Sequence, residues 1–341
     1  MSLLRRIPNL ELLAFFVVLS VFFCFYAPHF NTASNVENLL SGYAFIAILA
    51  IGQSYPIMVR GIDLSIGSIV ALGAMIIFDL VMIWEVPGYL AMPLALCVAL
   101  AAGAVNGALI VYCRLQPFVA TLASMAAYRG LVYAISGRQL FPELATKPIR
   151  DPWITGIEEY YDIGGATGLD QVVNLPWIPL SFLILIAVMV TSQVMLSHTN
   201  FGKNFKITGG NPEAARLAGI NTKRTIISAY AISGFCAGLA AIILVARLTT
   251  ATEALGNGME LTAIAAAVIG GISLQGGLGN SIGPVVGAFL LGIILIGLTL
   301  MGVSQFVQQI LSGAILVGAV TYDLYMSKTR ARRARALQSG V

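Results

Sequence analysis

Residues 208–223 read TGGNPEAARLAGINTK, a polar stretch between apolar runs that spells out a short capped helix. Asn211 suits the N-cap, Pro212 the first helical position, and Glu213 the positive end of the helix dipole. Ala214, Ala215, Leu217 and Ala218 continue the pattern, and Gly219 is a natural stop. A helix of about two turns is too short to be stable alone, so it needs a partner surface. The chemistry on offer is mechanical: a handle by which a soluble subunit could drive a membrane one.

The other informative polar residues lie in or beside apolar stretches. Asp63 is the one acid in a glycine-rich interruption, where it either caps the following helix together with Ser65 or serves at a gate on a substrate route. Gln53, Asn106, Thr121, Ser124 and Gln309 also fall on apolar segments. Their amides and hydroxyls suit an uncharged polyhydroxy solute, and equally suit hydrogen bonds that tie helices together. Arg129 lies inside an apolar run about two turns from its outer end, close enough to snorkel outward. The candidate translocation route comprises Gly61, Asp63, Ser65, Asn106, Gly270, Gly271 and Ser273.

Catalytic signals are missing. The chain has no GxxxxGK[ST] phosphate loop, no HExxH and no GxSxG, and the glycine-rich run 270–283 holds no lysine. His29 and His198 are far apart along the chain, and Cys24, Cys97, Cys113 and Cys236 form no CxxC pair and read as small apolar filler. The expectation is a protein with no catalytic, cofactor or metal site and no ATP binding of its own. Nor does it show the several intramembrane charges that ion-coupled pumps carry. Energy for uphill transport must then arrive from another subunit.

These residues are carried by an integral membrane chain. Of 341 residues 58% are hydrophobic and only 10% charged; mean hydropathy is +0.89, whereas soluble domains carry about 25% charged residues. A net charge of +4 spread over loops argues against nucleic acid as a partner. Apolar runs predict ten helices, near 10–28, 39–59, 66–84, 88–112, 117–136, 176–196, 224–246, 259–273, 282–300 and 303–321. The first reads as an uncleaved span, since no small-x-small site follows it before Pro28. The fold class is therefore all-α and polytopic, a single transmembrane domain over 1–341.

Placing both termini in the cytoplasm puts 14 of the 19 Lys and Arg residues inside, as the positive-inside rule asks. The acids Glu143, Asp151, Glu158, Glu159, Asp162 and Asp170 then share one external loop, 137–175. Loop 197–223 and the basic tail 328–341 lie inside, the tail against anionic headgroups. An extracytoplasmic partner could dock on the external loop. Two segments also rhyme: VRGIDLSIGSIVALGAM (59–75) and VIGGISLQGGLGNSIGPVVGAF (268–289) each run an apolar helix into a glycine-rich break and out again. Matched breaks predict two pseudo-repeated halves with broken or re-entrant helices. The pairs Gly103/Gly107, Gly234/Gly238 and Gly283/Gly287 predict close helix crossings.

Taken together, GIDLSIGS (61–68), NGALIVYCRLQPFVATLASM (106–125), GGNPEAARLAGI (209–220) and VIGGISLQGG (268–277) resemble the permease subunits of bacterial ABC importers for monosaccharides, the ribose, xylose, arabinose and galactose group. The resemblance runs over residues 10–325; loop 137–175 and LQGGLGN (274–280) depart from the family wording. It implies that Asn211, Pro212, Glu213, Ala214, Ala215 and Gly219 form a coupling helix seated in an ATPase subunit. It also implies a second permease subunit, alike or different, a periplasmic sugar-binding protein, and the bacterial inner membrane as location. A branched-chain amino-acid or nucleoside permease of the same design, and an ion-coupled secondary transporter, are the competing readings.

Overall fold

A computed structural model describes residues 10–136, 148–161 and 178–338 of the chain. In chain order its helices are α1 Leu10–Tyr26, α2 Ala33–Met58, α3 Ile66–Met82, α4 Gly88–Tyr112, α5 Pro117–Ser136 and the single turn α6 Pro152–Thr155. After a two-residue antiparallel pairing of β1 Tyr160–Tyr161 with β2 Ile178–Pro179 come α7 Leu180–His198, α8 Asn200–Gly210, α9 Pro212–Leu217 and α10 Thr222–Leu248. The last are α11 Met259–Ile269, α12 Ile282–Leu300 and α13 Gln305–Gln338. Among the described residues seven helices are long and apolar enough to cross a membrane: α2, α4, α5, α7, α10, α12 and the first part of α13. The shorter α1, α3 and α11 are apolar too. The protein is an all-α polytopic membrane protein.

The predicted boundaries 88–112, 117–136 and 282–300 coincide with α4, α5 and α12. Three expectations need correction. The span expected at 259–273 is a helix only to Ile269, because Gly271 takes φ +89° and ends it. The last helix does not stop near 321 but runs on to Gln338, carrying most of the basic tail in helical form. Loop 197–223 holds two helices, the unpredicted one being α8. Of the external loop, 137–147 and 162–175 lie outside the described residues.

Small residues decide how the bundle packs. α10 is the central helix, in contact with α2, α3 and α4, and its Ala229, Ala237, Ala240 and Ala241 are fully buried. Where α4 crosses α10, Gly103 meets Gly234: a Cβ on Gly103 would overlap the Tyr230 carbonyl oxygen, and one on Gly234 that of Ala99. α11 and α12 cross the same way, with Gly270 against Gly283 and Gly287 against the Ala266 carbonyl. Backbones this close gain van der Waals contact that larger side chains would forbid. Elsewhere α1, α4, α5 and α13 turn large apolar side chains outward, among them Phe25, Leu94, Phe118 and Ile310. That is the surface a lipid-facing helix needs.

At one end of the bundle, Asp151 caps α6 through Trp153 N (2.9 Å) and Ile154 N (3.3 Å) and accepts from Gly88 N (3.0 Å) at the start of α4. Beside it Ser41 donates to Glu158 (2.6 Å), and Arg247 donates to Ser41. These bonds fasten 148–161 over the ends of α2, α4 and α10. Arg129 reaches this end as well, but it does not simply snorkel to solvent: its guanidinium donates to the Glu253 and Leu255 carbonyl oxygens (2.7 and 2.8 Å). α8 and α9 lie at the opposite end, beside the C-terminus of α2 and the N-terminus of α10.

The rhyming segments fold as two equivalent breaks, α2–α3 and α11–α12. Each first helix closes with the same pair of bonds. Arg60 N reaches the Ile57 oxygen (3.0 Å) and Gly61 N that of Pro56 (2.8 Å); Gly271 N reaches Val268 (2.9 Å) and Ile272 N reaches Ala267 (3.0 Å). This is the Schellman pattern, with its C′ residue left-handed at φ +65° for Arg60 and +89° for Gly271. Each second helix opens with Ser-Ile-Gly, at Ser65 and at Ser281.

Candidate functional site

The handle forms as its residues require. Asn211 accepts from Glu213 N (3.1 Å) and Ala214 N (3.0 Å), Pro212 takes the first turn, and α9 closes in a Schellman turn with Gly219 at φ +80°. Glu213 pairs with Arg216 at 3.1 Å on the exposed side. Ala215 is buried, facing inward, while Leu217 is 85% exposed, the most exposed large apolar residue among those described. The sequence reads Leu217 as one more helix former; the structure leaves it an exposed apolar knob on α9. An exposed leucine on a charged two-turn helix is a feature that a partner's groove can cover.

The first break brings Gly61, Asp63, Ser65 and Asn106 into one buried cluster. Asp63, fully buried, accepts from Ser65 N (3.0 Å) and Ser65 Oγ (2.7 Å) with one oxygen and from Ser233 Oγ of α10 (2.7 Å) with the other. Asn106 of α4 donates to Ser65 Oγ (2.6 Å), and Thr121 of α5 donates to the Ile62 carbonyl oxygen (3.1 Å). The Gln53 amide of α2, oriented by these partners, accepts from Asp63 N (3.0 Å) and donates to the Asp63 backbone carbonyl oxygen (3.2 Å). Interrupting a helix inside a membrane frees backbone groups that lipid cannot satisfy. Here four helices supply the bonds. The helix cap expected of Asp63 with Ser65 does not form: Ser65 stands at the N-cap of α3 without a side-chain cap bond, and Asp63 turns instead onto Ser65 N, Ser65 Oγ and Ser233, the last a contact that spacing could not disclose. Tyr230, also missed, places its buried hydroxyl against Gly61, where a Cβ would overlap it, and finds no hydrogen-bond partner among the described residues.

The second break is built differently. Gly270 packs on Gly283, and Ser273 is turned toward α13, where Asp323 accepts from Leu274 N (3.0 Å). Ser281 ends the break in a buried chain of hydroxyls, Tyr55 to Ser192 (2.6 Å) to Ser281 (2.5 Å), with Ser281 N held by Gln193 (2.9 Å). Gly270, Gly271 and Ser273 therefore do not join the Asp63 cluster. What joins the two breaks is backbone: Gly277 N donates to the Met58 carbonyl oxygen at 2.9 Å.

α8 roots itself in that same junction. Its Phe205 is buried on Tyr55, with ring centroids 5.1 Å apart. At Gly209 a Cβ would overlap the Met58 carbonyl oxygen and stand 2.7 Å from Gly277 N. Arg60 closes the arrangement, Nε donating to the Gly209 oxygen (2.5 Å) and Nη2 to the Gly210 oxygen (2.6 Å). Lys206 on α8 is partly buried, and desolvation lowers its pKa. The handle is thus one residue from a point where both breaks meet.

A protein family described as "Branched-chain amino acid transport system / permease component" matches residues 35–320. Among curated relatives, the ribose import permease protein RbsC of Escherichia coli is 36% identical over 300 residues, 87% of this chain and 88% of its own length. The xylose transport system permease protein XylH of Escherichia coli is 33% identical over 338 residues, covering 86% of this chain and 85% of the relative. The D-allose transport system permease protein AlsC of Escherichia coli is 30% identical over 313 residues, 92% and 90%. No solved structure matches significantly.

Proposed function

Because the chain belongs to this family of transport-system permease components, we propose that it is the membrane-spanning subunit of an ABC importer that carries a monosaccharide or related polyol across the bacterial inner membrane. The observation that carries the reading is the 30–36% identity with ribose, xylose and allose permeases over 86–92% of the chain. Energy comes from a separate ATPase subunit and cargo from a periplasmic binding protein. A second permease subunit, alike or different, completes the route. The family's description names branched-chain amino acids, and the sugar reading rests on the relatives' substrates.

In this reading the α9 face is cytoplasmic and Leu217 and Glu213 sit in the ATPase. Ten passes then return both termini to that side, and the 148–161 segment faces the binding protein. ATP-driven closure moves α9 and selects between two arrangements of the bundle, since a partner shifts an equilibrium only through contacts that differ between its states. Gly61, Asp63, Ser65 and Asn106, together with Gly270, Gly271 and Ser273, act as the hinges of that change and border the route. The test is uptake by cells of the native host with the gene deleted. Labelled ribose, xylose, allose and leucine are offered separately. Loss of uptake of one sugar, restored by a plasmid copy, is the expected result; selective loss of leucine uptake would replace the sugar reading.

A further inference from the structure

Arg60 stands where glycine is the default. Its left-handed backbone, φ +65°, is the conformation that the equivalent residue of the second break meets with Gly271, and a side chain there is held at a cost in strain. The side chain is not idle. Its guanidinium caps the last carbonyl oxygens of α8, those of Gly209 and Gly210, directly before the handle. A cation at a helix C-terminus complements the dipole, and the fork of donors fixes two oxygens at once. Arg60 also packs on the second break, since a Cβ on Gly276 would stand 2.5 Å from its Cγ. The last carbonyl of α2, that of Met58, is taken by Gly277 of the second break. One residue therefore touches the root of the handle and both broken helices.

We propose that Arg60 is the positioning residue that transmits movement of α9 to the two breaks, so that ATP hydrolysis and sugar passage stay linked. The inference rests on the reading of α9 as the ATPase-docking helix. When the ATPase displaces α9, the Gly209–Gly210 carbonyls pull on the guanidinium, and through it on the C-terminus of α2 and the 270–281 segment. Without the side chain α9 remains seated on the ATPase, but its motion is lost in the joint.

The experiment uses the whole importer, purified from its host through a tag on this chain and reconstituted in liposomes with its binding protein. Labelled ribose, xylose or allose transported is measured against ATP hydrolysed for Arg60→Gly, Arg60→Lys, and Glu213→Lys with Leu217→Asp. Glycine suits φ +65°, and relief of that strain offsets part of the two bonds lost, so Arg60→Gly should still assemble with its partners. Its sugar-to-ATP ratio should fall at least about tenfold, since each of the two charge-assisted hydrogen bonds lost corresponds to about that factor. Arg60→Lys, with one point charge for a fork, should recover part of the ratio. An unchanged ratio in Arg60→Gly overturns the proposal, as does a parallel fall in assembly, melting temperature and transport with the ratio intact. The α9 double variant tests the reading underneath: it should lose the ATPase on purification. If it keeps the ATPase and transports normally, the docking role of α9 falls and the proposal with it, whatever Arg60→Gly does.

Discussion

At the scale of residues, the first break shows how an acidic side chain can be buried among hydrogen-bond donors. Asp63 meets three donors, two hydroxyls and a backbone N–H, all within 3.0 Å. A hydrogen bond contributes about 0.5–1.5 kcal/mol net, and a stranded buried donor costs about 1–3 kcal/mol. Asp63→Ala strands all three and should lower the melting temperature in detergent well below that of Asp63→Asn, which keeps an acceptor. Ser233→Ala removes a single donor and should cost about 1 kcal/mol. Tyr230→Phe tests the opposite case. Its hydroxyl finds no partner among the described residues, so the variant should melt at or above the parent temperature. A lowered melting temperature would mean that the hydroxyl is bonded after all.

The elements separate what sequence can disclose from what it cannot. α9 was legible to within a residue at its end, Ala218 being the C-cap, because every signal in it is local: Asn211 before Pro212, an acid in the first turn, a glycine after the last. Helices α4, α5 and α12 were legible because Pro, Gly and polar residues bound a continuous apolar run. α8 was not. Its sequence NFGKNFKITGG holds three glycines, which weaken a helix by about 1 kcal/mol apiece against alanine, and only packing reverses that preference. Phe205 buried on Tyr55 and Gly209 pressed on the Met58 carbonyl and Gly277 N supply the packing. For the same reason the route residues split into two groups that spacing alone could not separate. Asp63 and Ser273 rhyme in sequence, yet one faces α10 and the other α13. At this scale the handle is open to test. Glu213→Lys reverses an exposed charge, and Gly219→Trp sets a bulky residue at φ +80°. Both should abolish sugar uptake while the protein still reaches the membrane in normal amount, measured by immunoblot of washed membranes. Full uptake by both would remove α9 from the mechanism.

For the molecule as a whole, the proposed mechanism demands that its two ends face different compartments. Leu217 marks one end at 85% exposure and Trp153 marks the other at 62%. The chain's charges lean toward that polarity: Arg60, Lys203, Lys206, Arg216, Lys223 and Arg224 lie at the α9 end, while Asp151, Glu158 and Glu159 lie at the other, beside Arg129, Arg150 and Arg247. Positive residues are retained on the cytoplasmic side during insertion, which makes charge a statement about orientation and not about fold. Cysteine labelling reads it directly. With Cys24, Cys97 and Cys113, all exposed, changed to alanine, Trp153→Cys and Leu217→Cys each offer one accessible thiol; Cys236 stays buried in the core. In intact spheroplasts a membrane-impermeant maleimide should label Trp153→Cys at once and Leu217→Cys only after permeabilisation. The reverse order would put α9 outside, where no ATPase can hold it, and would end the importer reading. Co-purification of the ATPase should in turn protect Leu217→Cys even in permeabilised cells, because a leucine this exposed is buried only by a partner.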